Sequence, residues 1–209
     1  MVSRTEMISR TSLYLCTPIV DNVSEFVDQT LEGGVDIVQL REKQLPDQDI
    51  LEKARTLQRL CRSRSVPFIV NDRPDIALLA EADGVHVGQD DIKVSDVRRL
   101  IGTGRILGLS THSRTELMEA LTLDIDYVSV GPIEPTPTKP GREGTGEDFL
   151  NFASKVARLP FFVTGGVDPT KIRHLKEVGA SRFVVVRYLV NAKDPKAAAQ
   201  QLKVEIQRD

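Results

Sequence analysis

Short runs rich in Val, Ile, Leu and Phe recur along the whole chain. Longer segments separate them, in which apolar positions return every three or four residues. The short runs fall at 12–17, 36–40, 68–71, 84–87, 105–109, 127–131, 161–164 and 182–187, and their length and composition predict strands. Between them Ile50, Leu51, Ala54, Leu57, Leu60 and Cys61 keep helical spacing across 50–64, and 94–101 and 117–123 behave likewise. Pro46 with Asp47, and Asp168 with Pro169, suit helix openings, because proline lacks the N–H that a first turn leaves unpaired. Eight strand–helix units with no break in composition predict an α/β fold, a single-domain (β/α)8 TIM barrel over residues 11–209. An open doubly wound sheet is the rival, but it usually carries a glycine fingerprint after its first strand, where this chain has Cys16-Thr17-Pro18.

Composition narrows this picture. A chain of 209 residues is long for one small domain and short for two, which favours one. Apolar residues at 40% and charged residues at 28% suit a soluble protein with a full core. A net charge of −2 gives no global basic field for nucleic acid, so any anion site must be local. No apolar run approaches the roughly 18 residues that span a bilayer. Residues 1–10 carry charge without an apolar stretch, and are expected to be a flexible lead-in rather than a secretory signal. Two distant cysteines, Cys16 and Cys61, fit a reduced cytoplasmic protein better than a disulfide scaffold, and buried structural thiols are their commoner role. The oligomeric state stays open, a homo-oligomer included.

In a parallel barrel, chemistry gathers where strands end. The second strand ends Gln39-Leu40-Arg41-Glu42-Lys43. Alternation turns Leu40 outward and Gln39 and Arg41 into the mouth, with Lys43 where the loop begins. Arg41 and Lys43 together suit a diphosphate, the first as a fork and the second as a point charge. An ion-paired rim, either cation with Glu42, is the alternative. Asp72 and Asp91 end the third and fourth strands. Two carboxylates beside a diphosphate site suit a hard cation such as Mg2+, while helix capping is the plainer role for each.

The stretch 131–148 holds Pro132, Pro135, Pro137 and Pro140 with Gly141, Gly144 and Gly146, far longer than the usual barrel loop. Thr136, Thr138 and Lys139 would close over an anionic substrate if it is a lid; a solvated insertion is the other reading. Gly165-Gly166 and the end of the eighth strand resemble a phosphate cup of backbone donors. Of the histidines, His86 reads as a barrel-interior residue, His112 lies near a helix start, and His174 is expected to be exposed.

These motifs resemble the thiamine phosphate synthase family. The matching stretches are Gln39-Leu40-Arg41-Glu42-Lys43, Asn71-Asp72-Arg73, Ala82-Asp83-Gly84-Val85-His86-Val87-Gly88-Gln89-Asp90-Asp91, Gly108-Leu109-Ser110-Thr111-His112, Asp126-Tyr127-Val128-Ser129-Val130-Gly131-Pro132, Thr136-Pro137-Thr138-Lys139-Pro140 and Gly165-Gly166-Val167. All occur in order between residues 13 and 190. The resemblance implies a transferase that joins a pyrimidine diphosphate to a thiazole phosphate, or the thiazole's carboxy form, and releases pyrophosphate. It implies that Gln39, Arg41, Lys43, Asn71 and Lys139 hold the diphosphate substrate, that Asp72 and Asp91 are Mg2+ ligands, and that Ser110 lies near the pyrimidine. Thr136, Thr138, Gly166, Val186 and Arg187 then contact the thiazole phosphate. Arg41, Lys43, Ser110 and Lys139 are the candidate catalytic residues. One departure is Arg187, where many members carry a small residue, usually Ser; backbone donors are expected to serve the phosphate regardless. A thiazole tautomerase-like isomerase and a non-catalytic phosphate-binding barrel are the competing readings. The first needs no diphosphate site, so Lys43, the Asn71-Asp72 pair and Asp91 argue against it.

Overall fold

A computed structural model of the chain describes residues 4–136 and 143–208. Eight parallel strands, β1 (Leu13–Thr17), β2 (Ile37–Leu40), β3 (Phe68–Asn71), β4 (Gly84–Val87), β5 (Ile106–Thr111), β6 (Tyr127–Val130), β7 (Phe161–Val163) and β8 (Phe183–Val185), follow one another around a closed barrel. The ring closes where β1 pairs with β8, Tyr14 opposite Val184. The helices are α1 (Arg4–Ser9), α2 (Val23–Glu32), α3 (Asp47–Ser63), α4 (Pro74–Leu79), α5 (Val94–Ile101), α6 (Arg114–Ala120), α7 (Gly146–Val156), α8 (Pro169–Val178), α9 (Arg187–Val190) and α10 (Pro195–Gln207). The predicted strands all form, within a few residues of their expected ends.

Period-two alternation builds two separate cores. Outward-facing Leu13, Leu15, Val38, Leu40, Val70 and Val85 pack with the apolar stripes of the helices. Inward-facing Tyr14, Ile37, Ile69, Ile106, Tyr127 and Phe162 fill the barrel itself. Phe162 meets the Tyr14 and Tyr127 rings edge-on, with centroids 5.2 and 5.4 Å away. Gly108 makes this filling fit, since a Cβ there would lie 2.2 Å from Cζ of Tyr127 and 2.5 Å from Nδ1 of His86.

Helix openings follow their local chemistry. Asp168 caps α8 through the Thr170 N–H at 2.9 Å, with Pro169 in its first turn. Pro46 stands just before α3 rather than inside its first turn.

The expected flexible lead-in is corrected for its described part. Residues 4–9 form α1, and Ile8 is completely buried among the interior side chains at the floor of the barrel. Arg4 anchors the helix to Asp124 at 2.9 Å and to Asp126 at 3.0 Å. The charged composition of this segment hid Ile8, with Met7 packed beside it against the same cluster, as an apolar anchor whose burial only the closed barrel supplies.

Candidate active site

The carboxyl ends of the strands open into two adjoining compartments. The larger, about 580 Å3, reaches from Tyr14 and Gln39 in the barrel to Gly166, Val186 and Arg187 at the rim. The smaller, about 280 Å3, lies over β3 and β4 and is lined by Lys43, Asp72 and Asp91. Arg41, Asn71 and Ser110 line both and form their common wall.

Gln39 and Arg41 point inward as alternation requires, while Leu40 packs outward. Glu42 is not the partner of either cation. Its Oε1 accepts the N–H groups of Lys43 and Gln44, each at 2.8 Å, and its Oε2 that of Ile19 at 3.3 Å. Burial works against its charge, but these backbone donors prevail and hold its pKa below the ordinary value. Glu42 therefore shapes the loop that presents Lys43.

Lys43 instead bonds Asp72, Nζ to Oδ2 at 2.8 Å. Capping is excluded as the role of either aspartate. The residue before α4 is Arg73, the residue before α5 is Lys93, and neither helix start has a side-chain cap. Asp91 Oδ2 takes the Gly88 N–H at 2.7 Å. Asp72 stands in the left-handed region, φ 60°, uncommon for a residue with a Cβ. Its N–H donates to the His86 carbonyl at 2.8 Å, which fixes the turn. The two carboxyl groups line the same small compartment and act on each other's charge. Burial first, then Asp91, pushes the Asp72 pKa up. In Asp91 burial also raises it, but Asp72 and the Gly88 N–H prevail and lower it. Like charges this close favour a proton or a cation between them.

Among the described residues no three His, Cys, Asp or Glu side chains converge as a metal site. The pair of hard oxygen donors nonetheless fits Mg2+, which binds through one or two carboxylates and fills its remaining positions with water and phosphate.

Sequence reasoning missed a buried chain of hydrogen bonds beneath both compartments. Gln39 Nε2 donates to the Tyr14 hydroxyl at 2.7 Å, which meets the Tyr127 hydroxyl at 2.8 Å. Tyr127 continues to His86 Nδ1 at 3.0 Å, and His86 Nε2 to Ser110 Oγ at 2.9 Å. Burial raises the pKa of both phenols, so they serve as neutral bonding groups. His86 is an interior residue, as expected, and its ring also orients Ser110. The tyrosines gave no signal in sequence, because interior aromatic residues are ordinary barrel filling. His174 is exposed and paired with Glu147 at 2.8 Å.

At the far side of the large compartment Gly165 and Gly166 both have positive φ, 98° and 75°. Thr136, Gly166, Val186 and Arg187 all reach this cavity, with Arg187 opening the short α9. Thr138 and Lys139 lie outside the described residues. Both cysteines are buried, and burial pushes Cys61 up to about 12, which suits a structural role. No helix among the described residues is long and apolar enough to cross a membrane.

Fold and rim together define a (β/α)8 barrel whose mouth sets a cation-and-carboxylate compartment against a larger, mostly apolar one. The family model for thiamine monophosphate synthase matches residues 13–189, and the chain belongs to that family. A thiamine-phosphate synthase of Mycobacterium strain JLS is 41% identical over 94% of this chain and 92% of its own length. That of Nostoc punctiforme is 40% identical over 98% of this chain but only 58% of its own length. The chain thus spans a little over half of several longer curated relatives it matches. A solved thiamine phosphate pyrophosphorylase from Pyrococcus furiosus superposes with a TM-score of 0.87 at 27% identity, covering 96% of this chain and 98% of that one.

Proposed function

We propose that this chain is a transferase that condenses hydroxymethylpyrimidine diphosphate with hydroxyethylthiazole phosphate, or the thiazole's carboxy form, releasing pyrophosphate and forming thiamine phosphate. One observation carries the reading. Arg41, Lys43, Asp72 and Asp91, from three separate strand ends, converge on one compartment that opens directly into a cavity large enough for two rings. A barrel that only isomerised the thiazole phosphate would have no use for that second compartment.

In this reading Arg41 and Lys43 grip the diphosphate, and Asn71 and Ser110 line the passage from it to the pyrimidine. Asp72 and Asp91 would hold Mg2+, which when bound neutralises charge on the leaving diphosphate. The C–O bond to the pyrimidine methylene breaks, and the thiazole nitrogen forms its bond to the same carbon. The aminopyrimidine spreads the developing positive charge, so no protein nucleophile is required. Thr136, Gly166, Val186 and Arg187 place the thiazole phosphate, with Thr138 and Lys139 assigned alongside by family resemblance. Holding both rings in line contributes up to about 7–11 kcal/mol, more than any single cation contact. The Tyr14–Tyr127–His86 chain supports this by fixing Gln39 and Ser110.

The test is pyrophosphate release by the purified chain given both substrates, with and without Mg2+. Release that requires both substrates and the metal is expected. No release under any of these conditions would sink the reading.

A further inference from the structure

We infer that Lys171 is a specificity-determining residue for the thiazole phosphate, and that Glu134 is an internal anion which this phosphate displaces to reach it. The inference rests on the thiazole-phosphate reading above.

Glu134 comes from the loop after β6, and Lys171 from the first turn of α8. Both line the large cavity, and Lys171 Nζ lies 2.5 Å from Glu134 Oε2. The pair spans the mouth over the glycine turn. A Cβ on Gly166 would lie 2.4 Å from the same Glu134 oxygen, so this carboxylate rests directly on the Gly166 backbone. Glu134 therefore holds an anionic group where Gly166, the start of α8 and a lysine converge. That is the environment a phosphate monoester requires.

The other acid near Lys171 is Asp168, whose Oδ2 is 4.0 Å away. Asp168 is committed to the helix start through the Thr170 N–H at 2.9 Å and hydroxyl at 2.6 Å. Glu134 is thus the partner free to leave. Its side chain is 49% exposed and that of Lys171 38%, and an ion pair so exposed contributes little to the fold. A phosphate brings nearly twice the charge and three acceptor oxygens. It outcompetes a single carboxylate for Lys171, whereas a weaker anion does not. Arg187, at the start of α9 on the same cavity, supplies a second cation.

The experiment measures KM for each substrate, with kcat, in the unmodified chain, Lys171→Ala, Lys171→Arg and Glu134→Gln. Binding of phosphate-free hydroxyethylthiazole is followed by calorimetry on the same proteins. Lys171→Ala is expected to raise KM for the thiazole phosphate roughly tenfold, with KM for the pyrimidine diphosphate and binding of the phosphate-free thiazole unchanged. Lys171→Arg restores most of the loss. Glu134→Gln lowers KM for the thiazole phosphate roughly threefold, by removing the competing anion. An unchanged KM for the thiazole phosphate in Lys171→Ala overturns the inference. So does an equal rise for both substrates, or weaker binding in Glu134→Gln. Failure of the unmodified chain to release pyrophosphate would instead remove the reading beneath it.

Discussion

Asp72 delivers its carboxylate to the rim from a left-handed backbone, φ 60°. Asparagine tolerates that conformation nearly as well, so Asp72→Asn removes the charge and keeps the turn. If Asp72 and Asp91 hold Mg2+, the concentration giving half-maximal pyrophosphate release should rise at least roughly tenfold to a hundredfold, the loss typical even of a residue one step removed from a metal. A Mg2+ titration of the rate reads this directly, and an unshifted midpoint removes Asp72 as a ligand. Tyr127 allows a test of another kind. Its hydroxyl joins Tyr14 at 2.8 Å to His86 at 3.0 Å. Tyr127→Phe keeps the ring against Tyr14 and Phe162 but leaves buried polar groups without that partner. The expected cost is about 1–3 kcal/mol in urea unfolding. Stability equal to that of the unmodified protein would mean the bonds re-form around the gap.

At the scale of elements, α1 shows what periodicity misses. Six residues, Arg4–Ser9, are too few to read as an amphipathic helix, and isolated helices of that length do not hold in water. The helix exists because Ile8 enters the barrel floor and Arg4 reaches Asp124 and Asp126. Ile8→Ala should therefore destabilise the fold by about 2–5 kcal/mol, as for other wholly buried apolar residues. A loss below 1 kcal/mol would show that α1 merely rests on the surface. The long loop after β6 is the opposite case. Its prolines and glycines announced an irregular segment, but not that Glu134 would fold back onto Gly166 and pair with Lys171.

At the scale of the whole molecule, the barrel separates stability from chemistry. Its amino end is tied by Asp126, which is only 3% exposed. Asp126 bonds Arg98 at 3.1 Å, Arg4 at 3.0 Å and the Leu107 N–H at 2.8 Å. Removing one partner of a buried ion pair typically costs about 3–5 kcal/mol. Asp126→Ala should lose stability on that scale while the folded fraction keeps both substrate KM values, because the mouth lies at the other end. Altered KM values at a temperature where the variant is folded would show that the two ends are coupled.

The order of strands and helices, and the alternation that turns Leu40 outward and Arg41 inward, were set by hydrophobic periodicity, which is local and needs no knowledge of distant neighbours. The types of residue at the strand ends were equally plain, because alternation and the barrel's polarity assign them one rim. Roles with two chemically sound alternatives were not legible. Asp72 and Asp91 suited capping as well as metal binding, and only the structure removes capping, while Glu42 suited either cation until the positions of Ile19 and Lys43 were fixed. The tyrosine chain, the anchoring of Ile8 and the Glu134–Lys171 pair join residues far apart in sequence, Glu134 and Lys171 by 37 positions. The first two exist only once the sheet has closed, since closure brings non-adjacent strands such as β1 and β6 within hydrogen-bonding distance, while the third needs β6 and β7 paired side by side.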